Sequence, residues 1–85
     1  MAVGYPASAL QSSAVQMIPC DSDAIAAYGY DPEKWKLFIL PRKRASQVYI
    51  YDGFPPDKYE DFLAAGSKGS YWNRVVKENY QLAPR

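Results

Sequence analysis

Two clusters of residues in this sequence have the chemistry to bind an anion. The first is the basic run Arg42-Lys43-Arg44, whose adjacent cations can contact the phosphates of a nucleic acid. The second is Ser67-Lys68-Gly69-Ser70, which combines two hydroxyl groups and an ammonium with the free backbone N–H groups of a helix start. Each cluster also has a structural interpretation. The basic run suits a solvated hairpin loop, and the serine run suits a helix cap in which Gly69 permits a neighbouring segment to approach closely.

Aromatic residues provide a second way to hold a nucleic acid. Tyr49 and Tyr51 are two positions apart, so both point to the same side of a predicted strand. On an open sheet face they would stack on unpaired bases, with about 1–3 kcal/mol per stack, whereas in the alternative both rings pack beneath helices. Asn73 also has two interpretations. Its side-chain amide would hydrogen-bond either to the edge of a base or to a backbone group of a loop. The residues predicted to contact a nucleic acid are Arg42, Lys43, Arg44, Tyr49, Tyr51, Lys68, Arg74 and Lys77.

The composition argues against catalysis. The chain has no histidine and one cysteine, Cys20, which removes the commonest general base, an internal disulfide and a four-cysteine zinc site. We therefore predict no catalytic residue, no metal and no cofactor. The net charge is +1, so any site for a polyanion must depend on local clustering of charge. Because the chain shows neither a run of about 20 apolar residues nor a signal-peptide pattern, we expect a cytoplasmic protein with no membrane partner.

Periodicity and turn signals predict the strands that must position these residues. Residues 24–30 and 35–40 alternate as strands, and the turn Asp31-Pro32-Glu33-Lys34 between them predicts an antiparallel hairpin. Residues 47–52 form a third predicted strand. On the first strand, alternation predicts one face with Ile25, Ala27 and Gly29 and another with Ala26, Tyr28 and Tyr30.

A first helix is predicted after the strands. Pro56 suits the first helical position, because its missing N–H group costs nothing there. Tyr59, Phe62 and Leu63 then follow at helical spacing as a stripe that we expect to be buried. Gly66 is the predicted C-terminal cap.

A second helix is predicted over residues 68–79, with Ser67 as its N-terminal cap. Its apolar stripe consists of Trp72, Val75 and Val76. The order β-β-β-α-α predicts an α+β fold, in which a small three-stranded antiparallel sheet carries the two C-terminal helices on one face. Residues 14–19 offer an extra N-terminal strand. We expect one domain over residues 14–81, preceded by a flexible arm over 1–13 and followed by a tail over 82–85.

Four motifs in this order and spacing resemble the KTSC domain. They are Ala26-x-x-Gly29-Tyr30-Asp31, Tyr49-x-Tyr51, Pro55-x-x-x-Tyr59-x-x-Phe62-Leu63 and Ser67-Lys68-Gly69-x-x-x-Asn73, and the resemblance covers residues 20–81. The resemblance implies a module found at the C-terminus of some lysyl-tRNA synthetases and as small stand-alone proteins of bacteria and phages. It implies RNA binding and no family-wide catalytic residue. The chain departs from the family in the basic loop, where relatives often have a short glycine turn, and in the apolar Ile50.

Two functions follow as expectations. The first is a small non-catalytic module that binds RNA, either tRNA or a single strand, through the basic loop and the start of the second helix. The alternative is a protein-interaction or regulatory module, for example a phage-encoded protein that binds a host protein. Its surface would be Trp35, Phe38 and Leu40, because the second strand is apolar on both faces. Phe38 and Leu40 would also suit a homodimer face, so a monomer and a homodimer both remain open.

Overall fold

The computed structural model describes residues 11–12, 15–44 and 47–82. Within these ranges the chain forms the strands β1 (Gln11–Ser12), β2 (Val15–Gln16), β3 (Ile18–Pro19), β4 (Ile25–Asp31), β5 (Lys36–Pro41) and β6 (Tyr49–Tyr51). Helix α1 is Pro56–Ala64, and helix α2 joins the stretches Lys68–Tyr71, Trp72–Val76 and Lys77–Asn79. A 3₁₀ turn, Arg42–Arg44, follows β5. The predicted arm and tail lie outside the described residues except for Gln11–Ser12 and Leu82.

The sheet confirms the predicted α+β fold and adds one strand to it. In the part of the chain that the structure describes, β3, β4, β5 and β6 form an antiparallel sheet in that order, and β1 pairs with β2 as a separate hairpin. The three predicted strands are β4, β5 and β6. The extra strand predicted over 14–19 is divided into β2 and β3, of which β3 joins the sheet. β5 begins one residue later than predicted, because Trp35 belongs to the preceding turn with a φ of 55°.

A β-bulge changes which face Ile25 occupies. Ile25 pairs with Pro41 and Ala27 pairs with Leu40, so Ala26 is an extra residue on β4. Beyond the bulge the alternation shifts, and Ile25 packs on the same side of the sheet as Tyr28. The predicted grouping of Ile25 with Ala27 was therefore wrong, because simple alternation fails where a strand gains a residue.

The main core lies between the sheet and the two helices. Phe54 and Phe62 are fully buried there, and Val76 from α2 completes the contact between helix and sheet. Ser67 caps α2 as predicted, since its Oγ accepts a hydrogen bond from the Ser70 N–H group at 3.2 Å. The buried members of this core are Ile25, Tyr28, Leu37, Ile39, Tyr51, Phe54, Phe62, Trp72 and Val76.

The N-terminal segment covers the opposite face of the sheet. Phe38 is 3% exposed and Leu40 is fully buried, and both pack with Val15 and Met17. A Cβ at Gly29 would lie 2.7 Å from Val15 Cγ1, so only glycine permits this close approach. The exposed apolar patch that we expected at Phe38 and Leu40, either for a partner or for a homodimer, was therefore wrong. β5 is apolar on both faces because both faces are covered.

Helix α1 begins as predicted at Pro56 but differs in two details. Phe62 is fully buried, whereas Leu63 is 40% exposed, so the predicted stripe was wrong for Leu63. The helix ends at Ala64 with Ala65 in an extended conformation, and the Ala65 N–H group donates to the Phe62 carbonyl at 3.3 Å. The predicted cap at Gly66 was wrong, because the chain turns away one residue earlier.

A layer of tyrosines joins β4 to α1. Tyr30 and Tyr59 stack with their ring centroids 4.3 Å apart, and the Tyr30 hydroxyl donates to the Phe54 carbonyl at 2.5 Å. Burial raises the pKa of Tyr59 to about 12, and the neighbouring hydroxyls of Tyr28 and Tyr30 act in the same direction. The neutral phenol is therefore the form that this layer accommodates.

We expect the free energy of unfolding to fall as the pH rises from 10 to about 12. Below pH 10 Tyr59 is protonated in both states; above it the unfolded chain releases the proton while the folded protein still holds it, so stability is lost. The measurement is the urea midpoint at several pH values in that window. Tyr59→Phe should make the decline shallower, and parallel declines in the two proteins would contradict this assignment.

Candidate nucleic-acid interface

Arg42 is part of the scaffold of this region. Its guanidinium donates from Nε to the Ser22 carbonyl at 2.7 Å, and from Nη2 to the carbonyls of Cys20 at 2.6 Å and Ile25 at 3.2 Å. The planar donor fork of arginine suits such a set of acceptors. Arg42 therefore links the 3₁₀ turn to the segment between β3 and β4. The sequence predicts a phosphate contact for this side chain, whereas in the structure its donors bind backbone carbonyls.

The other two cations of the basic run border a groove between the 3₁₀ turn and α2. We define the basic groove by Lys43, Arg44, Tyr49, Trp72 and Lys77, which line one cleft of about 430 Å³. An adjoining cleft of about 740 Å³ shares Arg44, Tyr49 and Lys77 with it and continues past Tyr80 to Leu82. Asp23 is a carboxylate on the rim of the first cleft. The groove therefore brings cations from two distant parts of the chain around an aromatic floor.

The position of Lys77 depends on a π-helical turn within α2. The stretch Trp72–Val76 is π-helical, and the Lys77 N–H group donates to the Trp72 carbonyl, five residues back. Lys77 Nζ lies 4.3 Å from the centroid of the Trp72 ring. Sequence reasoning predicted a regular helix and missed this turn, since the pattern of apolar residues carries no signal for one extra residue in a helical turn.

The two tyrosines of β6 have different roles. Tyr51 is 4% exposed, and its hydroxyl accepts a hydrogen bond from Trp72 Nε1 at 2.9 Å. Burial raises the pKa of Tyr51, although the bond from Trp72 acts in the opposite direction. The predicted stacking role was therefore wrong for Tyr51, whose ring belongs to the core. Tyr49 is partly buried and lines the groove, and its ring centroid lies 6.1 Å from that of Trp72.

The serine cluster at the start of α2 serves the scaffold. A Cβ at Gly69 would lie 3.0 Å from Ser22 Oγ, so this helix start packs closely against the β3–β4 segment. Lys68 Nζ donates to the Leu63 carbonyl at 3.4 Å. A cleft of about 550 Å³ does open here, but the carboxyl-bearing Asp21 and Asp23 also line it. These two carboxylates outnumber the one ammonium of Lys68 in this cleft, whereas in the basic groove Asp23 faces a majority of cations. The charge balance therefore disfavours the predicted anion site of Ser67, Lys68, Gly69 and Ser70.

Of the remaining candidate residues, Arg74 lies outside the basic groove, whereas Asn73 lies on its border. Arg74 is exposed on α2 and does not line either cleft of the groove. Asn73 is exposed between the two regions and lines both the basic groove and the cleft at the serine cluster. The groove thus gathers Lys43, Arg44, Tyr49 and Lys77 from the predicted set and adds Trp72, which the sequence assigned to the core.

Residues 21–80 match the family model of the KTSC domain. The chain belongs to the KTSC domain family. A Tsukamurella paurometabola protein is 38% identical over 65 residues, which cover 76% of this chain and 94% of the relative. An uncharacterized protein of Stutzerimonas stutzeri is 27% identical over 66 residues, which cover 78% of this chain and 90% of the relative. The crystal structure of a KTSC domain protein from Yersinia pestis is similar with a TM-score of 0.76 and 32% identity, over 85% of this chain and 99% of that chain.

The KTSC match contains every residue of the basic groove and omits Val15 and Met17, which cover the rear face of the sheet. Among the described residues, no three Cys, Asp or Glu side chains converge as they would around a metal ion. Across the same ranges, no helix has the length and apolar character needed to cross a membrane.

Proposed function

We propose that this KTSC domain is a non-catalytic module that binds single-stranded RNA in the basic groove. The observation that carries the proposal is the convergence of Lys43 and Arg44 with Lys77 around the ring of Tyr49. Cations that follow a phosphate backbone, combined with aromatic rings that stack on bases, are the means by which proteins hold single strands. A shallow, open groove suits unpaired bases better than a duplex, whose bases are already stacked.

The context of the family supports RNA as the ligand. The association of KTSC domains with some lysyl-tRNA synthetases, which the resemblance implies, places such modules beside tRNA. The unpaired loops of a tRNA present the same chemistry as a short single strand. The lone thiol Cys20 suits a reducing compartment, so we include a cytoplasmic location in the proposal.

Because the net charge is only +1, binding must rely on the cations of the groove and not on attraction by the overall charge of the protein. If Lys43, Arg44 and Lys77 each neutralise one phosphate, the logarithm of the association constant should fall with the logarithm of salt concentration at a slope of about −2. The slope is a sharper test of this site than the affinity alone, because it reports how many phosphates are contacted.

The experiment is fluorescence anisotropy of a labelled oligouridine titrated with the protein at several salt concentrations. We expect the double variant Lys43→Gln/Arg44→Gln to weaken binding about tenfold and to reduce the slope to about −0.7, since one phosphate contact would remain. The matched control is Lys34→Gln/Arg74→Gln, which removes the same charge from exposed positions outside the groove.

The control should bind within about twofold of the unmodified protein, because distant exposed charges are largely screened at physiological salt. Equal losses of affinity in the two double variants would show that only the overall charge matters and would contradict the assignment of the groove as the binding site. Failure of the unmodified protein to bind oligouridine even at low salt would remove the proposed function itself.

A protein-interaction module remains the second candidate, and Trp35 is the observation that favours it. This residue is 46% exposed at the last position of the β4–β5 turn, and its φ of 55° is strained for a bulky side chain. Exposed tryptophans are frequent anchors in protein interfaces. With Phe38 and Leu40 buried, however, Trp35 stands without the apolar neighbours that we expected to complete this surface.

A further inference from the structure

Lys77 covers one face of the Trp72 indole where the ring borders the basic groove. Its Nζ lies 4.3 Å from the ring centroid, and Lys77 is an exposed residue. Trp72 keeps only 4% of its surface accessible. Because lysine carries its charge on a flexible four-carbon stem, this cover is a mobile group in contact with solvent and not a fixed part of the core.

The indole itself is held independently of its cover. Trp72 Nε1 donates to the Tyr51 hydroxyl at 2.9 Å, and this bond is buried. Tyr49 packs against the same ring at an interplanar angle of 55°. Displacement of the ammonium would therefore expose an aromatic face whose orientation is already fixed, which lowers the cost of binding a planar ligand.

The π-helical turn is the reason that Lys77 lies over Trp72. In an α-helix the residue four positions on, Val76, would occupy the next turn above Trp72. The five-residue hydrogen bond from the Lys77 N–H group to the Trp72 carbonyl places Lys77 there instead. Such turns are rare and occur frequently at functional sites. This local departure from a regular helix is an independent indication that the Lys77–Trp72 pair serves binding.

From these observations we infer that one unpaired nucleobase replaces the Lys77 ammonium on the Trp72 ring, and that the ammonium moves to an adjacent phosphate. The inference rests on the proposed function and assigns Trp72 as a second stacking surface beside Tyr49. A base stacked on an aromatic ring gains about 5- to 150-fold in affinity. An ammonium over a ring at an exposed site gains about two- to fivefold, so a stacked base is the stronger contact over most of its range.

Intrinsic tryptophan fluorescence tests this exchange without altering Trp72, whose replacement would damage the core. The sequence contains two tryptophans, so Trp35→Phe leaves Trp72 as the sole tryptophan, and excitation at a wavelength that the eight tyrosines do not absorb isolates its emission. We expect oligouridine to reduce the Trp72 emission about twofold at saturation, as stacking brings the base into contact with the indole. An abasic oligonucleotide of the same length is the matched control, and the anisotropy of labelled RNA reports binding separately.

The two readouts separate the inference from the proposed function. Binding accompanied by quenching, with little quenching by the abasic strand, supports the stacking site. Binding with unchanged Trp72 emission, or equal quenching by the abasic strand, overturns the stacking site while RNA binding stands. Absence of binding in the anisotropy measurement overturns both.

Discussion

Replacement of Phe62 by alanine is expected to lower the free energy of unfolding by about 3–5 kcal/mol. The ring is fully buried between α1 and the sheet, and its centroid lies 5.3 Å from that of Tyr28 and 5.8 Å from that of Tyr71. Both contacts are edge-on, which is a favourable geometry for aromatic rings. The substitution removes this packing and leaves a cavity that aromatic neighbours cannot fill by small movements.

Urea unfolding followed by far-ultraviolet circular dichroism measures this loss. Since a small domain has a total stability of about 5–15 kcal/mol, the Phe62→Ala protein should lose a large share of its stability, and its urea midpoint should fall accordingly. The adjacent Leu63→Ala is the matched control. Leu63 is 40% exposed, so its truncation should cost less than about 1 kcal/mol. Similar midpoints for the two variants would contradict the orientation of α1 described here.

Arg42→Ala is expected to destabilise the protein by about 2 kcal/mol, although the side chain lies in an exposed turn. The substitution removes the hydrogen bonds from the guanidinium to the carbonyls of Ser22, Cys20 and Ile25. Bonds from a charged donor are stronger than those between neutral groups, and these bonds hold the β3–β4 segment against the end of β5. The backbone bond from the Arg42 N–H group to the Ala24 carbonyl remains in the variant.

Two further variants separate the geometry of Arg42 from its charge. Lys43→Ala removes the neighbouring cation and should change stability by no more than about 0.5 kcal/mol. Arg42→Lys keeps the charge but loses the planar fork, so most of the destabilisation should persist. Full stability in Arg42→Lys would mean that charge alone holds the turn, and equal effects of Arg42→Ala and Lys43→Ala would contradict the scaffold role. All three are measured by urea unfolding at neutral pH.

The predictions that succeeded concern features set by neighbouring residues. Pro56 begins α1 because its ring fixes φ and it lacks an N–H group, and Ser67 caps α2 because its hydroxyl reaches an N–H group three residues on. Alternation located β4 and β5 within one residue and β6 within two residues. Each of these features depends on a few consecutive positions, and for that reason the pattern of residue types was enough to predict it.

The predictions that failed concern partners that are distant in the chain. Phe38 and Leu40 looked surplus to one core, because nothing in their own strand indicates that Val15 and Met17 pack on the rear face. Ile25 changed face because of a bulge that only the pairing of β4 with β5 reveals. In each case the error came from counting local periodicity where a non-local contact determines burial.

The amino-acid sequence alone determined the order of β4, β5, β6 and the two helices, the membership of the KTSC domain family and the residues that carry positive charge. Only the tertiary structure decided which of these residues act together. Arg42 donates to backbone carbonyls, while Lys43 and Arg44 line the basic groove together with Lys77. The physical reason is that hydrogen bonding, burial and the extra residue of a π turn depend on three-dimensional neighbours, which a linear pattern of residue types does not specify.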